Sequence, residues 1–133
     1  MSGPFGAIDI ARTGATMASR WMDVLGHNLS NVNTVTSTDS EAFRAKYLVV
    51  REDVAAGGSG VQLTDVVKAE GDAPLYYDPE NPLADENGNV QGPVIDVAGQ
   101  MADLIVATRH YQMNLQVVSA AEEAYQAALG IGR

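Results

Sequence analysis

Histidine is the side chain best suited to proton transfer and metal ligation near neutral pH, and this chain holds two, His27 and His110. Neither has a second histidine at metal-ligand spacing, and each falls inside a helical pattern, so both read as helix-face residues. The run Gly57-Gly58-Ser59-Gly60 offers backbone N–H groups of the kind that cradle phosphate. It lacks the Lys and following Ser/Thr of a phosphate-binding loop and does not lead into a helix, so it reads as a linker. No serine sits in a Gly-x-Ser-x-Gly elbow. The oxygens of Asp85-Glu86-Asn87-Gly88-Asn89 invite calcium. An EF-hand would place its glycine sixth, making Leu83 the first ligand, which leucine cannot be. Cysteine is absent, which excludes disulfide scaffolds, thiolate metal sites and thiol catalysis together. The residues therefore assign no catalytic group, no metal set and no cofactor, and the chain does not read as an enzyme.

The elements that would position such residues are more telling. Toward the N-terminus Ile8, Ala11, Ala15, Ala18, Met22, Leu25, Leu29 and Val32 recur in alternating steps of three and four. Toward the C-terminus Val94, Val97, Met101, Leu104, Thr108, Tyr111, Leu115, Val118, Glu122, Tyr125 and Leu129 keep the same rhythm. Such spacing draws a narrow stripe along one face of an α-helix, suited to helix-on-helix packing. Trp21, Tyr111 and Tyr125 accordingly read as packing residues. Helices are predicted from about Ala7 to Val32 and from about Asp96, as N-cap, to Leu129. Gly3 and Pro4 are expected to block the first helix, and Gly130 and Gly132 to end the second. Gly14 and Gly26 each cost about 1 kcal/mol inside a helix, tolerable where a close helix contact is gained. Neither helix is stable alone, and each is the other's nearest partner.

Between them the chain reads as strand and loop. Tyr47-Leu48-Val49-Val50 and the alternating Val61–Val66 are predicted strands, with Leu75-Tyr76-Tyr77 a third. Asp78-Pro79-Glu80-Asn81-Pro82 ends it, and Asn87-Gly88 marks a tight turn. The predicted fold is mainly α: a long antiparallel, coiled-coil-like pair of terminal helices with a small β/loop insertion. One elongated domain is expected, in segments 1–34, 35–93 and 94–133.

Charge narrows the partners. Seventeen acidic against eight basic residues give a net charge of −9, which disfavours nucleic acid, a partner that usually requires a basic face to release counterions. From Ala69 to Thr108 there is no Lys or Arg, while carboxylates run from Glu70 to Asp103; such a stretch suits a basic partner surface. No apolar run approaches the roughly 20 residues of a membrane span, so no membrane insertion is expected. Residues 1–20 carry Asp9, Arg12 and Arg20 and no continuous apolar segment, so no cleavable signal peptide is expected.

Four segments carry a resemblance. Leu25-Gly26-His27-Asn28-Leu29-Ser30-Asn31-Val32-Asn33-Thr34 resembles the signature that closes the N-terminal helix of bacterial flagellar axial proteins, the rod and hook family. Tyr111-Gln112-Met113-Asn114 looks like the element on that family's C-terminal helix. Ala42-Phe43-Arg44-Ala45-Lys46 resembles the patch after its first helix. Asn81-Pro82-Leu83-Ala84-Asp85-Glu86-Asn87-Gly88 is similar to an element of its proximal rod members. The resemblance implies Asn28, Leu29, Asn31, Asn33, Asn81, Pro82, Leu83, Asp85, Gly88, Tyr111, Gln112 and Asn114 as motif positions. It also implies a structural rod subunit whose terminal helices form an inner tube and whose middle faces outward. The implied partners are copies of itself, other rod proteins, rod-base or ring components, and the export apparatus that passes the chain unfolded to a periplasmic rod. The two helical stripes are then the expected assembly seams. The reading set against this is a soluble acidic helical hairpin acting as an adaptor or calcium-binding module.

Overall fold

The computed structural model describes residues 4–53 and 60–131. Its elements are α1 (Pro4–Ser30), β1 (Lys46–Glu52), β2 (Val61–Lys68), β3 (Leu75–Tyr77), β4 (Asn89–Gln91) and α2 (Val97–Ile131). The terminal helices pack together, with two small two-stranded sheets, β1–β2 and β3–β4, between them in sequence. Pro4 opens α1 instead of blocking it, because the first helical position needs no N–H. Asp96 caps α2 as expected: its Oδ1 accepts from the Gly99 N–H at 3.1 Å. The helix runs on through Gly130 to Ile131. Gly132 and the Gly57–Ser59 linker lie outside the described residues. Strand β4 had no periodic signal, since only Val90 of its three residues is apolar.

Two units divide the chain. The first takes residues 1–22, 49–65 and 104–133. In it α1 offers the buried small residues Ala11, Ala15 and Ala18, and α2 offers buried Ala107. Met22 meets Thr108 (Oγ1 to Sδ, 3.5 Å), while Gly14 faces Asn114, so the helices run in opposite directions. A Cβ built on Gly14 would stand 2.8 Å from the Asn114 Oδ1. Small side chains let the helix backbones approach, and Gly14 leaves room for the Asn114 side chain. Gly26, in the other unit, has nothing within 4 Å of where its Cβ would be. Gly26→Ala is therefore expected to raise stability by about 0.5–1 kcal/mol through helix propensity. Gly14→Val is expected to lower it by about 1–3 kcal/mol through overpacking. Urea unfolding of the two variants checks both signs.

The second unit takes residues 23–48 and 66–103. Its core is Leu25, Ala42, Ala45 and Val90, joined by two buried polar side chains, Asn28 and Gln100. The segment 36–45 is laced to the approach to α2: Thr36 and Gln91 exchange backbone hydrogen bonds, and Val94 accepts from Ala45 while donating to Phe43. Arg44 donates to the carbonyls of Ala69 (3.0 Å) and Gly71 (2.8 Å), holding the chain beyond β2 in place. Strand β3 pairs antiparallel with β4, Leu75 opposite Gln91 and Tyr77 opposite Asn89.

Candidate functional site

The motif residues do four structural jobs. Asn28, fully buried, is a three-way joint: its Nδ2 donates to the Lys46 carbonyl (2.8 Å) and to the Gln100 Oε1 (2.7 Å), and its Oδ1 accepts from the Lys46 N–H (2.9 Å). One amide thereby ties α1 to the start of β1 and to the first turn of α2. Asn31 closes α1 by donating to the His27 carbonyl (2.9 Å), an acceptor the helix end leaves open, and it accepts from Thr34. Leu29 is half-buried and Asn33 exposed. On α2, Asn114 donates to the His110 carbonyl (2.9 Å) and fills the space above Gly14, while Tyr111 is half-buried and Gln112 exposed.

The β3–β4 connection is a chain of turns. Asn81 donates to the Asp78 Oδ2 and accepts from the Leu83 N–H, both at 3.1 Å. Pro82 and Leu83 face solvent. The Asp85 carboxylate accepts from the backbone of Asn87 (2.8 Å) and Asn89 (2.9 Å), with the Thr38 hydroxyl at 3.3 Å. Gly88 takes the left-handed φ of +77° this turn needs. The turn is a carboxylate-capped loop, and no cluster of three potential metal ligands exists among the described residues. The Asn89 N–H, followed by the other donors, holds the Asp85 carboxyl below its ordinary 3.8. A lowered folded-state value means the turn's contribution is complete above the free value and lost as pH falls through the folded one. Amide protection factors at Asn87 and Asn89, taken against the intrinsic exchange rates, should fall on acidification below about pH 4, and Asp85→Asn should remove that dependence.

The helical stripes fare differently. Every expected position of the N-terminal stripe is buried or half-buried, from Ile8 to Leu29 on α1 and at Val32, which lies in the turn beyond the helix end at Ser30. On α2 Val97, Leu104, Tyr111 and Val118 are half-buried, but Met101 keeps 57% of its surface and Leu115 44%. Tyr125 and Leu129 are exposed as well. The residues of α2 that face inward instead alternate with Gln100, Ala107, Asn114 and Ala121, one place before the expected Met101, Thr108, Leu115 and Glu122, of which Thr108 is also half-buried. Both registers have steps of three and four. The shorter side chains take the inner one because they let the helices close up and because Gln100 has a partner in Asn28. The displaced apolar residues line the flanks: Met101, Leu115 and Leu129 on one side, Val106, Met113 and Val117 on the other. Between the flanks Arg109, Gln112, Gln116 and Glu123 are exposed, with Ile105, 57% exposed, one turn before Arg109 on the same face. No described helix is long and apolar enough to cross a membrane.

His27 packs against Phe43, ring centroids 5.7 Å apart, and has no ligand-like company. Gln100 escaped sequence reading because a glutamine within an apolar stripe looks like a surface residue. Its spacing of three from Val97 was the available signal.

Comparison with known proteins bears on what these faces do. A family profile described as flagellar basal body rod FlgEFG protein C-terminal matches residues 86–131. The chain is similar to the flagellar basal-body rod protein FlgC of Salmonella typhimurium, 35% identical over 127 residues that cover 94% of this chain and 95% of the relative. It is similar, too, to the proteins of that name from Borreliella burgdorferi, 28% identical over 148 residues (97% of each chain), and Bacillus subtilis, 26% over 147 residues (97% of this chain, 98% of the relative).

Proposed function

The chain belongs to the family of the flagellar basal-body rod protein FlgC, and from that premise we propose how its helices serve as a structural subunit of the rod. The observation that carries the reading is the circumference of α2. Apolar side chains stand on both flanks of the face it turns to α1, at positions left in water by the isolated chain. A helix apolar on several sides needs several neighbours, and one subunit supplies one. Copies of this chain and other rod proteins supply the rest, packing side by side in a helical array. Such an array is a heterologous assembly that need not close.

In that array residues 1–34 and 94–133 form the inner tube, in a coiled-coil-like arrangement, and residues 35–93 face outward. The stripes on α1 and α2, with the exposed Met101, Leu115 and Leu129, are the assembly interface. The tube transmits torque across the periplasm and encloses the channel through which later subunits pass. Export of the chain itself follows the same channel without a cleavable signal peptide. Rod-base or ring components meet the outer surface.

Purified basal bodies test this. A tagged copy should be recovered in them, and cells lacking the chain should yield basal bodies without a rod and fail to swim. Rods of normal length in its absence would overturn the reading.

A further inference from the structure

Two exposed surfaces of this chain are complementary: one centres on two guanidinium groups, with Asp9 and Glu122 lining the hollow beyond Arg12, and the other on carboxylates. On the outer side of α1, Arg12, Thr16 and Arg20 form an exposed ridge one turn apart. An apolar furrow lies on either side of it, one floored by Tyr111, Leu115 and Val118 of α2, the other by Met17, Val61 and Leu63. Among the described residues no carboxylate is paired with either guanidinium.

The second surface is the β3–β4 hairpin. Leu75 and Tyr77 share one face of β3, 61% and 75% exposed, while Tyr76 turns the other way against Gly92. The exposed carboxylates of Asp78 and Glu80 follow them in the chain, while Glu70 and Asp72 flank the Arg44 guanidinium, which bonds the carbonyls of Ala69 and Gly71. Large apolar groups at such exposure, rimmed by charge of one sign, mark an interaction surface.

We propose that the hairpin of one copy docks on the Arg12–Arg20 ridge of the next. This rests on the rod reading and names one contact within it. Leu75 and Tyr77 enter the furrows beside the ridge, and Asp78 and Glu80 pair with the two guanidinium groups. A symmetric hairpin-to-hairpin contact would set like charges together, which disfavours it. The ridge-to-hairpin contact joins unlike patches, so it is heterologous and continues from subunit to subunit.

The absence of cysteine gives a clean background for the test. Thr16→Cys and Tyr77→Cys are placed in one chain, basal bodies are purified and oxidised, and the products are resolved without reductant. Dimers and higher multiples of this chain are expected, absent from either single variant. Uncrosslinked chain in basal bodies that contain the double variant would overturn the contact. So would a cross-link to a protein of another kind. In a second arm, Arg12→Glu with Arg20→Glu should reduce the motile fraction roughly tenfold, and adding Asp78→Arg with Glu80→Arg should restore it. Failure of restoration, with the quadruple variant folded by circular dichroism, would also overturn the contact. Incorporation of the unaltered chain is scored before oxidation, so failure of the rod reading itself registers separately, as its absence from basal bodies.

Discussion

Asn28→Asp is expected to destabilise the fold by about 3–5 kcal/mol, a large share of the stability of a chain this size. The substitution is nearly isosteric, so packing is not the cause. The amide donates to the Lys46 carbonyl and to the Gln100 Oε1. A carboxylate cannot donate, and it would place negative charge against two acceptor oxygens in a site sealed from water. Protonating it to avoid that charge supplies one donor where two are needed. Denaturant unfolding of the purified variant measures the loss, with the exposed Asn33→Asp as control, expected within about 0.5 kcal/mol of the parent. Equal stabilities for the two variants would show that the joint carries little energy.

Leu115→Asp should do the reverse: spare the monomer and eliminate assembly. Leu115 keeps 44% of its surface in the isolated chain, so a charge there can remain hydrated, and monomer stability should change by about 1 kcal/mol or less. In a packed array the same carboxylate would be buried without a partner, at several kcal/mol per subunit interface. The variant should be present in cells, absent from basal bodies, and associated with non-swimming cells. Leu25→Asp, at a position 1% exposed, should instead unfold the monomer. Normal swimming with Leu115→Asp would show that this flank meets no neighbour.

What could be read before folding depended on how local the cause was. The two helices, the Asp96 cap and strands β1 to β3 follow from periodicity and turn chemistry within a dozen residues. Strand β4 has no such signal, because Asn89-Val90-Gln91 is a strand only through the partner that β3 supplies. The inner register of α2 was hidden for the same reason. By size and polarity Met101 and Leu115 outrank Gln100 and Asn114 as core residues, yet the inner face is chosen by what stands opposite: Asn28 across from Gln100, Gly14 across from Asn114. The motif amides were legible as a resemblance, and their jobs as joints and caps were not, since each depends on a backbone atom brought from elsewhere in the chain.

The joint at Asn28 also has an order of assembly in time built into it. Lys46 lies 18 residues along the chain and Gln100 lies 72. Closing the longer loop costs about 1.2 kcal/mol more in chain entropy, so the nearer contact forms first. In a folding chain, Asn28 can therefore grip Lys46 before the first turn of α2 has docked. One N–H of the amide then stays bonded to water until the last quarter of the polypeptide, which holds Gln100, has docked. The bond to Gln100 is thus the last of the joint's three to close.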